Sequence, residues 1–143
     1  MRRILMSLVI LIIILAISGC SKQPPRGLNP VETVQYYFEQ WGNKSPAGMN
    51  SVLYKKDSIF DFREGLRGLK NIKLDSCELG ERPNDWYDAW YADPYDYAVV
   101  NTKFEIEFHP FDSVMANGTY HWEFYLIKEK ADSDWRLIMW GSG

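Results

Sequence analysis

Polar and apolar residues alternate most cleanly along 97–108. Ala98, Val100, Thr102, Phe104, Ile106 and Phe108 fall on one side, and Asn101, Lys103, Glu105 and Glu107 on the other. A period of two is that of a strand with one buried face. The same period returns where Tyr120, Trp122, Phe124 and Leu126 oppose His121, Glu123 and Tyr125. In Leu69–Glu78, Ile72, Leu74 and Ser76 alternate with Lys73, Asp75 and Cys77. A last strand is expected in "WRLIMWG", with Trp135 and Trp140 on opposite faces, so that both faces are at least partly covered. Asn117-Gly118 predicts a turn, and Asp132–Asp134 another.

Ahead of the strands the period lengthens to that of a helix. In "NPVETVQYYFEQWG", Val31, Val34, Phe38 and Trp41 recur at helical spacing with Tyr37 beside them. Asn29 is placed to cap, Pro30 suits the first turn, and Glu32 completes a capping box. Gly42 suits the stop. Ser45 and Pro46 repeat this logic before a short apolar face of Met49, Val52 and Leu53. A third short helix is expected at Ser58–Leu66, with Ile59, Phe60, Phe62 and Leu66 inward, although Gly65 and Gly68 weaken it. Helices followed by about four antiparallel strands predict an α+β fold, with N-terminal helices packed on one face of a curved sheet.

The start of the chain follows neither period. After Met1-Arg2-Arg3, residues Ile4–Ile17 are apolar except for Ser7. Fourteen helical residues span ~21 Å, short of the ~30 Å hydrocarbon core of a bilayer. Length and charge order match the apolar region of an export signal. Ile17-Ser18-Gly19-Cys20 then resembles the bacterial lipobox, which implies cleavage before Cys20 and a diacylglycerol thioether on its sulfur. The alternatives are an ordinary secretory signal cut nearby and a short uncleaved anchor. Two cysteines in an exported chain would otherwise suggest one disulfide. A lipidated Cys20 leaves Cys77 unpaired, a small buried apolar residue rather than a reactive thiol. Pro24, Pro25 and Gly27 mark a tether. The expected organisation is a signal peptide at 1–19, a lipidated cysteine and flexible tether at 20–28, and one domain at 29–143.

Charge restricts the partners. The net charge of −3 is unevenly spread. Residues 20–74 carry nine Lys/Arg and five Asp/Glu, whereas 75–143 carry five and fourteen. An acidic half repels phosphates and argues against nucleic acid. Lys22 and Arg26, close to the anchor, could touch anionic head groups at about 1 kcal/mol each. Most of the remaining charge reads as solvated surface.

The order of elements resembles the cystatin-like folds of the nuclear transport factor 2 superfamily. More narrowly, it resembles small bacterial lipoproteins carrying such a domain of unknown function. "NPVETVQYYFEQW", "MNSVLY", "LKNIKLDSCE", "YHWEFYLIKE" and "DWRLIMWGSG" carry the likeness, over about Asn29–Gly143. It implies a cone with a cavity between helices and sheet. Enzymes of the superfamily, such as ketosteroid isomerases and related dehydratases, use Asp, His or Tyr in that cavity. By resemblance Tyr36, Tyr37, Asp61, His109 and His121 become candidates. The superfamily also holds many non-enzymatic binding domains, so fold alone does not assign function.

The residues offer little catalytic chemistry of their own. His121 is expected near residue 106 and away from His109, and no His-x-x-x-His or Cys-x-x-Cys spacing is present. His121 and Glu123 share a strand face, more often a solvated pair than an acid–base pair. No Gly-x-Ser-x-Gly elbow, Gly-rich phosphate loop or Asp-x-Asp-x-Asp-Gly calcium loop occurs. Neither a metal nor a cofactor is expected. The most unusual stretch is "ERPNDWYDAWYADPYDY", Glu81–Tyr97, where aromatic residues alternate with aspartates. Rings beside carboxylates suit sugars, cationic groups or a protein interface. The plainer reading is a long connection whose rings fold back over the sheet edge.

The expectation is therefore a lipid-anchored protein on the extracytoplasmic face of a bacterial cell membrane. Its domain is expected to bind rather than catalyse, the partner being an envelope protein or a glycan. Trp86, Tyr87, Trp90, Tyr91 and Tyr95 are the candidate contacts. The alternatives are a small-molecule binder or isomerase/dehydratase-like enzyme using the cavity, and an interaction module using the exposed sheet face.

Overall fold

The computed structural model describes residues 24–54, 63–82, 94–111 and 115–142. Among them the order is α1 (Pro30–Gly42), α2 (Pro46–Ser51), α3 (Arg63–Gly68), β1 (Leu69–Leu79), β2 (Asp96–Phe108), β3 (Gly118–Lys128) and β4 (Arg136–Ser142). The strands form one antiparallel sheet in the order β1-β2-β3-β4, so the chain is α+β.

The start of α1 follows its local chemistry. The Asn29 side chain accepts from the Glu32 backbone at 2.9 Å, and the Glu32 carboxylate accepts from the Asn29 backbone at 2.8 Å. Two N–H groups at the open helix end are satisfied reciprocally. The helix ends at Gly42, as expected, but the left-handed residue comes later. Gly42 completes the last turn, and the left-handed residue is Lys44, with φ 53°. The turn is closed by Ser45 N–H donating to the Gln40 carbonyl at 2.9 Å. Ser45 then caps α2 by accepting from Gly48 N–H at 3.2 Å. Expected helix residues 58–62 lie outside the described residues; α3 runs on through Gly65 to Gly68 and buries Leu66.

The two helices meet without space to spare. Gln40 is 1% exposed and lies against Gly48, where a Cβ would stand 2.3–2.7 Å from its side chain. Gly48→Ala must displace a buried glutamine from both ends of its side chain. Overpacking of this kind costs typically 1–3 kcal/mol. A fall of that size is expected in a urea unfolding experiment, and a loss below about 0.5 kcal/mol would show that Gln40 moves freely.

In the sheet the period of two holds along β2. Ala98, Val100, Thr102, Phe104, Ile106 and Phe108 are all buried. Elsewhere single extra residues change the faces. In β1, Leu74 pairs with Phe104 but Ser76 pairs with Lys103, so Asp75 is the extra residue. Beyond it the expected faces exchange: Ser76 is exposed, and Cys77, opposite Thr102, packs against the core. In β4 the extra residue is Ile138, since Leu126 pairs with Leu137 and Tyr125 with Met139. Trp135 and Trp140 therefore both pack against the helix-side core, not on opposite faces as expected. The far face has its own small cluster, Ile127 and Ile138 under Tyr54, Tyr97 and Tyr125.

The main core lies between α1 and the sheet and is dominated by rings. Phe38 and Phe104 centroids are 5.0 Å apart, Phe104 and Trp122 5.1 Å, and Tyr37 and Trp140 5.6 Å. Trp122 stacks between Trp41 and Trp140 at 6.2 and 6.4 Å. Such offset and edge contacts contribute about 0.5–1.5 kcal/mol each beyond area burial.

Candidate functional site

The interior, the first candidate, is occupied by side chains. Phe38, Trp41, Phe104 and Phe124 are each at most 4% exposed, and Trp122 packs with them. Tyr37 is 1% exposed among these rings, and burial pushes its hydroxyl pKa far upward, so it holds its proton. Tyr36 also packs against this core, and its buried hydroxyl has no partner among the described residues. Asp61 lies outside the described residues. Between α1 and β1 an open cleft of about 240 Å³ is lined by Gln35, Phe38, Glu39, Gly42, Asn43, Ile72 and Leu74.

The histidines stand apart. His109 is exposed just beyond β2. His121 pairs across the sheet with Lys103 rather than near residue 106. The reason is the width of the β2–β3 connection. Asn117 accepts from Phe108 N–H at 2.8 Å, so its side chain extends the ladder in place of backbone, and Gly118 (φ 151°) opens β3 opposite Ile106. Glu123 takes a hydrogen bond from the Tyr125 hydroxyl at 2.5 Å. Burial first, and the Glu123 contact second, push the Tyr125 pKa up to about 12. The sequence offered no sign of this Glu123–Tyr125 pairing, because the two residues differ little from neighbouring outward positions. Burial also pushes the Cys77 thiol up to about 11, which leaves it a poor nucleophile at neutral pH. Among the described residues no three His, Cys, Asp or Glu side chains stand together as a metal site.

The second candidate is the end of the sheet from which the aromatic connection leaves. Trp86, Tyr87, Trp90 and Tyr91 lie outside the described residues, as does Cys20. The two roots of the connection are described. Gly80 N–H donates to the Val99 carbonyl at 2.9 Å and continues the ladder past β1. The Arg82 guanidinium pairs with Asp96 at 3.0 Å and lies 5.1 Å from the centroid of the Tyr97 ring. Tyr97 itself belongs to β2 and to the far-face cluster rather than to a free loop. Leu79 and Tyr95 stand 63% exposed beside these anchored groups. Sequence reading missed Leu79 and Arg82, because nothing in "CELGERP" shows that β1 ends in an exposed leucine with a clamped arginine after it.

The segment preceding α1 reaches the same end. Gly27, at φ 76°, donates its N–H to Asp134 at 3.1 Å. Asp134 lies 3.6 Å from Arg136, which donates to the Ser51 carbonyl at 2.6 Å. Pro24, Pro25 and Leu28 line a narrow cleft with Thr33, Val52 and Trp135. Thus 24–28 lies against the domain, where the sequence suggests a free tether. Its prolines and leucine meet a surface that Thr33 of α1, Val52 after α2 and the β3–β4 turn form together once the chain has folded.

No match was found among curated proteins or among solved structures. One family model matches residues 31–141, from the first turn of α1 to the end of β4. That span takes in the helices, the whole sheet and the aromatic connection, and the chain belongs to the family described as Domain of unknown function (DUF4829).

Proposed function

We propose that this protein is a bacterial lipoprotein, held on the extracytoplasmic face of the membrane by lipid on Cys20, whose domain binds a partner without catalysis. The domain is read as a cystatin-like, nuclear transport factor 2-like cone. Its partner is an envelope protein or a wall glycan, contacted by Trp86, Tyr87, Trp90, Tyr91 and Tyr95. The observation that carries this reading is the contrast between interior and rim. Rings fill the space between α1 and the sheet, while Tyr95 stands 63% exposed at the root of an aromatic connection. Exposed aromatic residues bring large contact area at low entropic cost, which suits a surface contact.

The experiment compares wild type with Trp86→Ala plus Trp90→Ala on a wall-glycan array and in pulldowns with envelope proteins. Loss of binding with an unchanged urea midpoint supports the assignment. Equal binding by both, or a stability loss without a binding loss, sinks it. The cavity-type alternative, a small-molecule binder or isomerase/dehydratase-like enzyme, has the α1–β1 cleft in its favour. At about 240 Å³ that cleft lies below the ~300 Å³ at which ligand pockets begin, and its mouth is open.

A further inference from the structure

β1 is an edge strand. It pairs with β2 along one side, and among the described residues no strand pairs with the other. Such an edge carries N–H and C=O groups ready to pair with another chain, and charges on it restrict what is admitted. The charges of β1 are divided, with Lys70 and Lys73 in its first half and Asp75 and Glu78 in its second. Lys70 pairs with Glu107 and Lys73 with Asp75, whereas Glu78 has no ion-pair partner among the described residues. The strand also has an apolar side. Ile72, Leu74, Cys77 and Leu79 pair with Ile106, Phe104, Thr102 and Val100 of the inward row of β2, and so face the helix side. Lys73, Ser76 and Glu78 face away and are exposed. The rings of α1 reach over the other strands, Phe38 to Phe104, Trp41 to Trp122 and Tyr37 to Trp140. The space above β1 stays open as the cleft of about 240 Å³ that Ile72 and Leu74 line, and Leu79 is left 63% exposed.

We propose that the outer edge of β1 pairs, antiparallel, with the same edge of a second copy of this chain. One two-fold register brings like faces together over residues 72–79. It sets Ile72 opposite Leu79, Lys73 opposite Glu78 and Leu74 opposite Cys77, with the axis between Asp75 and Ser76. Lys73 then meets the unpaired carboxylate of the other copy, its ammonium having a donor to spare beyond the one it gives Asp75. Leu79 enters the other copy's cleft beside Ile72, since directly opposed Cβ atoms lie ~4.5–5.5 Å apart. The cleft that one copy leaves open is closed by the second, and the contact is the same from both sides. The occupant is a second copy because this edge supplies both halves of the match, positive against negative and apolar against apolar. Parallel, in-register pairing would instead set Lys73 against Lys73 and Glu78 against Glu78, which like-charge repulsion opposes. The pairing is independent of the lipid anchor and of the aromatic connection.

The test uses the full chain purified in detergent, with light scattering corrected for the detergent to read its mass over a range of concentrations. Wild type is expected as a dimer. Glu78→Lys, at an exposed position, should weaken dimerisation about tenfold, because two opposite-charge contacts become like-charge ones. Adding Lys73→Glu exchanges the two charges and should restore the wild-type value. The register is read from Lys73→Cys plus Glu78→Cys in a Cys77→Ala background. Five residues of strand hold positions 73 and 78 of one copy ~16 Å apart, beyond the reach of a disulfide. A bridge between them, identified by mass spectrometry after mild oxidation, therefore joins two copies. Weakening by Glu78→Lys, restoration by the exchange and a 73–78 bridge support the pairing. A monomer at every concentration, a dimer indifferent to Glu78→Lys, or a dimer that forms no 73–78 bridge overturns it.

Discussion

Phe104→Ala should lower the free energy of unfolding by about 3–5 kcal/mol, the range for deleting a buried phenylalanine. Phe104 is 0% exposed and lies within 6.0 Å, centroid to centroid, of Phe38, Trp41, Tyr120 and Trp122. These neighbours come from one helix and one adjacent strand, so the site cannot close over a missing ring without moving α1 against the sheet. A domain of this size has about 5–15 kcal/mol in all, so much of its stability would go. The measurement is a urea titration followed by tryptophan fluorescence and by far-ultraviolet circular dichroism. A loss below about 2 kcal/mol would show that the ring cluster collapses into the space. Gly48→Ala probes the other helix contact and should cost less, because Gln40 can yield in part where an emptied ring site cannot.

Cys20→Ala should abolish incorporation of a labelled fatty acid and redistribute the protein away from washed membranes. The proposed thioether carries two acyl chains. Each buried methylene contributes about 0.8 kcal/mol, and one chain alone gives only marginal, reversible binding. Removing both leaves Ile4–Ile17, too short at ~21 Å to cross a bilayer core. Unchanged labelling in the variant would remove the lipobox reading. Among the described residues no helix is long and apolar enough to cross a membrane.

Much of the architecture was legible because it rests on local chemistry. The capping box at Asn29 and Glu32, Ser45 with Pro46, and the alternation along β2 each involve residues a few positions apart. Local chemistry did not reach the faces beyond the bulges. One extra residue at Asp75 brings Cys77 to the core side, and one at Ile138 brings Trp140 to the side of Trp135. A period of two has no means of signalling where it slips by one, since bulge positions are chosen by how a twisted sheet meets its helix. His121 was misplaced for a related reason. Asn117 read as half of a tight turn, whereas its side chain pairs with Phe108 and widens the connection.

The candidate surface was legible only in part. The aromatic stretch after Glu81 stands out in the sequence by composition, and Tyr95 with it. That Leu79 and Arg82 flank the same root follows from where β1 stops and from the Arg82–Asp96 pair. That the leading segment joins this end follows from a hydrogen bond between residues 107 positions apart, Gly27 and Asp134. By itself the sequence determined the α+β class, the starts of the first two helices and the inward row of β2, all consequences of near neighbours. The tertiary structure decided which face each bulged strand presents, how fully rings fill the interior, and that tether and aromatic root share one end. Those depend on contacts between distant segments, which exist only once the chain has packed.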